Sequence, residues 1–168
     1  MNWDELFIRQ ADLIAEKSKD PSTKVGCVIV GEGNVVLSMG FNGFARGVME
    51  TEDEWYVRNQ REALEQTPFD RWVRPEKYVW VEHAERNAIY NAARHGIKLE
   101  GARLYVNCDL SICADCARAI IQSGIKEVVG VNRPFTGVGA GVHYHTDRAG
   151  VMLAEAGVKQ RKINVTSG

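Results

Sequence analysis

The sequence contains no apolar run near the roughly 18 residues that a membrane-spanning helix requires, and no signal-peptide pattern at its N-terminus. A membrane partner is therefore not expected, and a cytoplasmic location is. There is no excess of charge of one sign: 21 Lys and Arg against 22 Asp and Glu leave a net charge of −1. Binding to duplex nucleic acid would call for a basic face, so no stable nucleic-acid partner is expected either. Cysteine is sparse, with four in 168 residues. That number suits a reducing compartment better than a disulfide scaffold. No internal repeat interrupts the chain. What remains is globular composition, 45% hydrophobic and 26% charged, at a length that gives one domain with a real core.

Two of the four cysteines belong to the most informative pattern in the chain. His83-Ala84-Glu85 is followed by Cys113-Ala114-Asp115-Cys116. One imidazole and two thiols are ligands that Zn²⁺ prefers. Three protein ligands leave a fourth tetrahedral position for water, which marks a catalytic rather than a structural zinc. Glu85 is too close to His83 in sequence to be a comfortable ligand, but it is well placed to hydrogen-bond that water. The unbroken run after His83 and the apolar run from Cys116 to Gly124 predict that both ligand groups open helices. Helix N-termini carry partial positive charge, which favours thiolates. A redox Cys-x-x-Cys or a buried pair of thiols would leave His83 and Glu85 unexplained. Cys108 is a spare thiol and the alternative ligand to Cys113. Cys27 reads as a small core residue.

His-x-Glu followed by Cys-x-x-Cys is the signature of zinc nucleobase deaminases. On these residues the chain resembles the cytidine and deoxycytidylate deaminase superfamily. The likeness extends to Ser18-Lys19-Asp20-Pro21, Val25-Gly26 and Gly40-Phe41-Asn42-Gly43, which are similar to segments of deoxycytidylate deaminases. It implies Zn²⁺ as cofactor, held by His83, Cys113 and Cys116, with Glu85 as the catalytic proton carrier. It implies a small nucleotide substrate, dCMP converted to dUMP with loss of ammonia, and a homo-oligomer between dimer and hexamer. It places Asn42, Trp80, Ala84 and Ser111 against the substrate. Lys24, Arg46 and Arg133 are candidate phosphate contacts, although surface bases are more often simply solvated. Two departures keep another substrate open, a guanine, an adenine or a modified cytosine. Ile112 stands where the family has proline, in a loop about two residues longer. No tyrosine follows Arg133 at the family's substrate-contacting offset, where Phe135 offers a ring without a hydroxyl. A non-catalytic zinc-stabilised binding protein is the third reading, and an intact Glu85 argues against it.

Read in order, the chain predicts a helix over residues 3–17, a turn over 18–23 and a strand hairpin over 24–41. Residues 51–75 form a polar insertion with a surface helix over 54–66, where Trp55 and Trp72 are packing residues, a cap over the pocket or part of a subunit contact. Strands follow over 102–107 and 127–131. His143 and His145 come next and are read as exposed or capping, with a pocket-lining role as the alternative. A last helix spans 147–157 and a possible strand 158–165. This order gives an α/β fold: a three-layer α-β-α sandwich around a mixed sheet of about five strands, a single domain over 1–168.

Overall fold

The computed structural model describes residues 1–50, 71–133 and 144–165. Helix α1 (Trp3–Ala15) opens on a capping box. The Asn2 side chain accepts from the Glu5 amide at 2.9 Å, and the Glu5 carboxylate accepts from the Asn2 amide at 3.2 Å. Its buried stripe is Phe7, Ile8, Ala11 and Ala15, the spacing of one helical face. Strand β1 (Gly26–Val30) follows, buried along its whole length. The expected hairpin turn contains a short 3-10 turn, Glu32–Asn34, in which Gly33 and Asn34 both take positive φ. Strand β2 (Val36–Phe41) returns antiparallel to β1.

Two short strands, β3 (Gly43–Phe44) and β4 (Val81–Glu82), pair with each other outside the main sheet. One helical turn, α2 (Lys77–Trp80), leads into β4. Helix α3 (Ala84–Arg94), strand β5 (Arg103–Val106), helix α4 (Ala114–Gln122), strand β6 (Glu127–Val131), helix α5 (Thr146–Glu155) and strand β7 (Lys159–Ile163) complete the order. The main sheet runs β2-β1-β5-β6-β7. β1 is antiparallel to both neighbours, while β5, β6 and β7 are parallel. The sheet is mixed and five-stranded, as the sequence predicts.

Alternation along the strands makes the three layers. Val28, Val30, Tyr105, Val129 and Val131 point to one face and pack on Phe7, Ile8 and Ala11 of α1. Cys27, Ile29, Leu104, Val106 and Val128 point to the other and pack on α3, α4 and α5. Cys27 is a fully buried core thiol, as expected.

Helix α3 lies unusually close to β2. Gly40 permits it, because a methyl group there would stand 2.4 Å from the Ala88 nitrogen. Three hydrogen bonds fasten the two elements: Ser38 Oγ donates to the Ala88 carbonyl, Asn87 Nδ2 to that of Phe41 and Asn91 Nδ2 to that of Met39, at 2.7, 2.8 and 2.7 Å. No helix among the described residues is long and apolar enough to cross a membrane. The helix expected over 54–66, Trp55, Phe135 and His143 lie outside the described residues. Trp72, inside them, stacks on Phe44 with ring centroids 4.5 Å apart.

Candidate active site

The three expected ligands meet where two helices begin. His83 is the residue before α3 and Cys113 the residue before α4, both in extended backbone; Cys116 lies in the first turn of α4. The His83 Nδ1 atom lies 3.3 Å from Cys113 Sγ and 3.4 Å from Cys116 Sγ. Tetrahedral zinc with ordinary Zn–N and Zn–S bonds would separate such donors by about 3.5 Å. All three ligand atoms lie within 4.8 Å of one another. The donor set and its spacing therefore fit a zinc ion. Cys108 is not in this cluster.

Electrostatics agree. The Cys116 side chain and the His83 ring, both hydrogen-bonded to the Cys113 sulfur, draw the Cys113 thiol down to about 4. The Cys116 thiol goes the other way, raised by its hydrogen bond to Cys113 and by burial. A dication between the sulfurs favours the thiolate on both. Burial opposes a charged His83, but its hydrogen bond to Cys113 and the Glu85 charge raise its pKa. The Cys116 amide also donates to Cys113 Sγ at 3.3 Å, the hydrogen bond expected at a helix N-terminus.

Glu85 is 5% exposed, in the first turn of α3. Burial raises its pKa, against the pull of His83. It lines a cavity of about 80 Å³ together with His83, Ala84, Cys108 and Ser111. A carboxyl group that is hard to ionise, beside a metal site and facing a cavity, has the properties of a proton carrier.

The expected substrate contacts are divided. Asn42, Ala84 and Ser111 line the cavity. The Asn42 side chain is fully engaged: Oδ1 accepts from the Val25 amide at 2.8 Å, and Nδ2 donates to Asp20 Oδ2 at 2.9 Å and the Thr23 carbonyl at 2.8 Å. Its observed work is to lock the 20–25 loop. Ser111 is turned inward by Asp109, whose carboxylate accepts from both its amide and its hydroxyl. Lys24, Arg46 and Trp80 do not line the cavity. Lys24 is exposed, Arg46 donates to Asn91 Oδ1 at 2.5 Å, and Trp80 lies under the Arg71 guanidinium. Arg133 is paired with Asp12 at 2.6 Å, also away from the cavity.

Several lining residues were not anticipated, among them Arg74, Lys77 and Tyr144. Lys77 is 5% exposed and paired with Asp20 at 2.6 Å. Tyr144 meets His83 and Tyr78 edge to face, with centroids at 5.0 and 5.5 Å, and burial raises its hydroxyl to about 12. It supplies an aromatic wall of the kind expected from Phe135. Only the density of Tyr and His over 143–145 could have pointed to it.

Known proteins match this arrangement. Residues 1–132 match the family model described as the cytidine and deoxycytidylate deaminase zinc-binding region. A probable deoxycytidylate deaminase of Drosophila melanogaster is 37% identical over 77% of this chain and 59% of its own length. For the deoxycytidylate deaminase of Homo sapiens the figures are 37%, 77% and 64%. The chain thus spans about three fifths of those relatives. The deoxycytidylate deaminase of phage T4 is 37% identical over 71% of this chain and 72% of its own. A crystal structure of dCMP deaminase from cyanophage S-TIM5, in complex with dCMP and dUMP, superposes with a TM-score of 0.64 over 95% of both chains at 26% identity. Motif, ligand geometry, sheet order and these likenesses converge on one conclusion: the chain belongs to the cytidine and deoxycytidylate deaminase zinc-binding family.

Proposed function

We propose that the protein hydrolyses the exocyclic amine of a pyrimidine deoxynucleotide, converting dCMP and water to dUMP and ammonia. The observation that carries this reading is the buried Glu85 carboxyl, which shares one cavity with the His83 ligand. The relatives named as deoxycytidylate deaminases, and the cyanophage enzyme with dCMP and dUMP, supply the choice of base and sugar.

Zinc held by His83, Cys113 and Cys116 would supply Lewis acidity, bringing the pKa of a coordinated water down toward neutrality. The remaining steps belong to the chain. Glu85 accepts a proton from the attacking water and delivers it to ring N3, while the C4–O bond forms. It then carries the water's second proton to the amine, the C4–N bond breaks, and ammonia leaves. One water proton ends on N3 and the other on ammonia, so Glu85 returns to its starting state. Ala84 and Ser111 close the cavity around the base, and Tyr144 with Tyr78 and Val81 screens it from water.

The setting proposed is a cytoplasmic homo-oligomer, between dimer and hexamer. Support comes from the family and from four cysteines that form no disulfide. Light scattering on the purified protein gives the oligomeric state. The catalytic reading is tested by ammonia release from dCMP, CMP, deoxycytidine, dCTP, guanine, dGMP and dAMP. Release from dCMP is expected. Silence on dCMP with release from a purine would replace the reading.

A further inference from the structure

The cavity is too small for a whole nucleotide. At about 80 Å³ it falls well below the ~300–1,000 Å³ of ordinary small-molecule sites. It takes a ring the size of a base, and the rest of the ligand must lie along its mouth. The mouth can be located, because Arg74 is the one exposed residue in the cavity lining.

Charge around that mouth is not balanced. Lys77 is neutralised by Asp20. Arg74 has no carboxylate within ion-pair distance among the described residues, while its guanidinium lies 5.9 Å from the ring of Tyr78, itself a wall of the cavity. Two other arginines nearby are occupied: Arg71 on Trp80 and Arg86 on Glu82. Lys77 has three donors and gives one to Asp20 and one to Ser22 Oγ at 2.7 Å. The third has no partner among the described residues, although the side chain is buried and lines the cavity.

A second cavity of about 220 Å³ lies beyond a wall made of Tyr78, Val81, His83 and Tyr144. It also holds a cation, Arg86. That guanidinium is 2.5 Å from Glu82 and 3.6 Å from Asp115, so an anion placed there would face two carboxylates. Among the described residues, Arg74 is the cation lining the first cavity that has no carboxylate partner.

We infer that Arg74, with the spare donor of Lys77 behind it, binds the 5′-phosphate of the substrate and sets the preference for a nucleoside monophosphate over a nucleoside. A guanidinium fork matches a phosphate with two parallel charge-assisted hydrogen bonds, and a fixed Lys77 adds a third. The Asp20–Lys77 pair, anchored by Asn42, Ser22 and Thr23, holds that ammonium in place. The identity of the base rests on the deaminase reading above; the phosphate site does not.

Arg74→Ala is the informative variant, since an exposed side chain can be removed without unfolding the protein, whereas Lys77→Met would leave Asp20 buried and unpaired. Calorimetry on the zinc-loaded protein with deoxyribose 5-phosphate, which has no base, reads the phosphate site independently of deamination. Arg74→Ala should weaken its binding roughly 10- to 100-fold, the loss expected for a charge-assisted pair. Arg74→Lys should recover part of that loss. The ratio of kcat/KM for dCMP to that for deoxycytidine should fall by a similar factor, through KM. Undiminished binding of deoxyribose 5-phosphate by Arg74→Ala, or an equal fall on both substrates, overturns the inference. A wild-type protein that binds deoxyribose 5-phosphate through Arg74 but releases no ammonia from dCMP overturns the deaminase reading and leaves the phosphate site standing.

Discussion

Replacing Gly40 by alanine should damage the chemistry through the fold. The added methyl would stand 2.4 Å from the Ala88 nitrogen and 2.6 Å from the Ala84 carbonyl oxygen. Both atoms are backbone of α3, so no rotamer change relieves the contact. Normal contact near 3.5 Å requires the helix to retreat by about 1 Å. That retreat strains the three hydrogen bonds tying α3 to β2. Overpacking costs about 1–3 kcal/mol and each of the three weakened bonds up to about 1 more, giving roughly 1–6 kcal/mol in total. At about 2–4 °C per kcal/mol for a chain of this size, Tm should fall by roughly 2–24 °C. His83 and Glu85 ride on the start of α3 while Cys113 and Cys116 ride on α4, so the ligand set opens as well. Metal sites tolerate about 0.2 Å of error, and a 1 Å misplacement of a reacting group costs about 100-fold in rate. Scanning calorimetry, zinc content after dialysis and ammonia release well below Tm measure the three effects. Val28→Ala is the comparator. It lies on β1, faces α1 and is 1% exposed, so its removal costs about 1.5–3 kcal/mol without touching α3. It should keep its zinc and its rate. A Gly40→Ala protein that melts with the wild type and retains full zinc refutes the reasoning.

Other outcomes follow from the same geometry. Glu85→Gln should keep zinc and Tm while kcat falls by about 10²–10⁴, and near wild-type turnover would remove Glu85 from the proton path. Cys113→Ser or Cys116→Ser should release the metal, whereas Cys108→Ser should hold a full equivalent; elemental analysis after dialysis separates them. Stability in acid should depend on Asp4, whose pKa is lowered by its hydrogen bond with Arg161, against the effect of burial, and by its bond from Tyr105. A lowered folded pKa means that this contribution is present above the unfolded value of about 3.9 and is lost as pH falls through the folded value. Asp4→Asn should therefore cost about 1 kcal/mol at pH 7, discounted for partial exposure, and should flatten the stability curve below pH 4 in urea titrations. An unchanged acid limb would show that the Arg161 pair contributes nothing.

The sheet and the metal ligands were legible because both are written in short-range pattern. β1 and β2 show as a hairpin around Gly33-Asn34, and Phe7, Ile8, Ala11 and Ala15 repeat at helical spacing. His83 and Cys113 each stand one residue before a helix, so the local sequence that starts the helix also aims the ligand. The β3–β4 ladder was not legible. It consists of two residues on each side, separated by the polar stretch after Thr51, and two residues carry no alternation to detect.

The phosphate contacts expected at the outer end of the cavity do not line it, for a related reason. Lys24, Arg46 and Arg133 flank recognisable motifs, and sequence proximity says nothing about which cations reach the cavity. Arg133 is paired with Asp12, 121 residues away, while Arg46 donates to the uncharged Asn91 carboxamide and Lys24 is exposed. Lys77 and Asp20 are 57 positions apart and meet only because the 18–25 loop, Asn42 and α2 converge. Asn42 shows the same logic in reverse. It sits in a motif shared with deoxycytidylate deaminases, yet both of its N–H donors and its oxygen are committed to Asp20, Thr23 and Val25. Its place in the motif is accounted for by a loop that fixes Asp20, which fixes Lys77, which lines the cavity. A residue one step removed from the ligand is constrained as tightly as one that touches it, and only the hydrogen-bond partners tell the two apart.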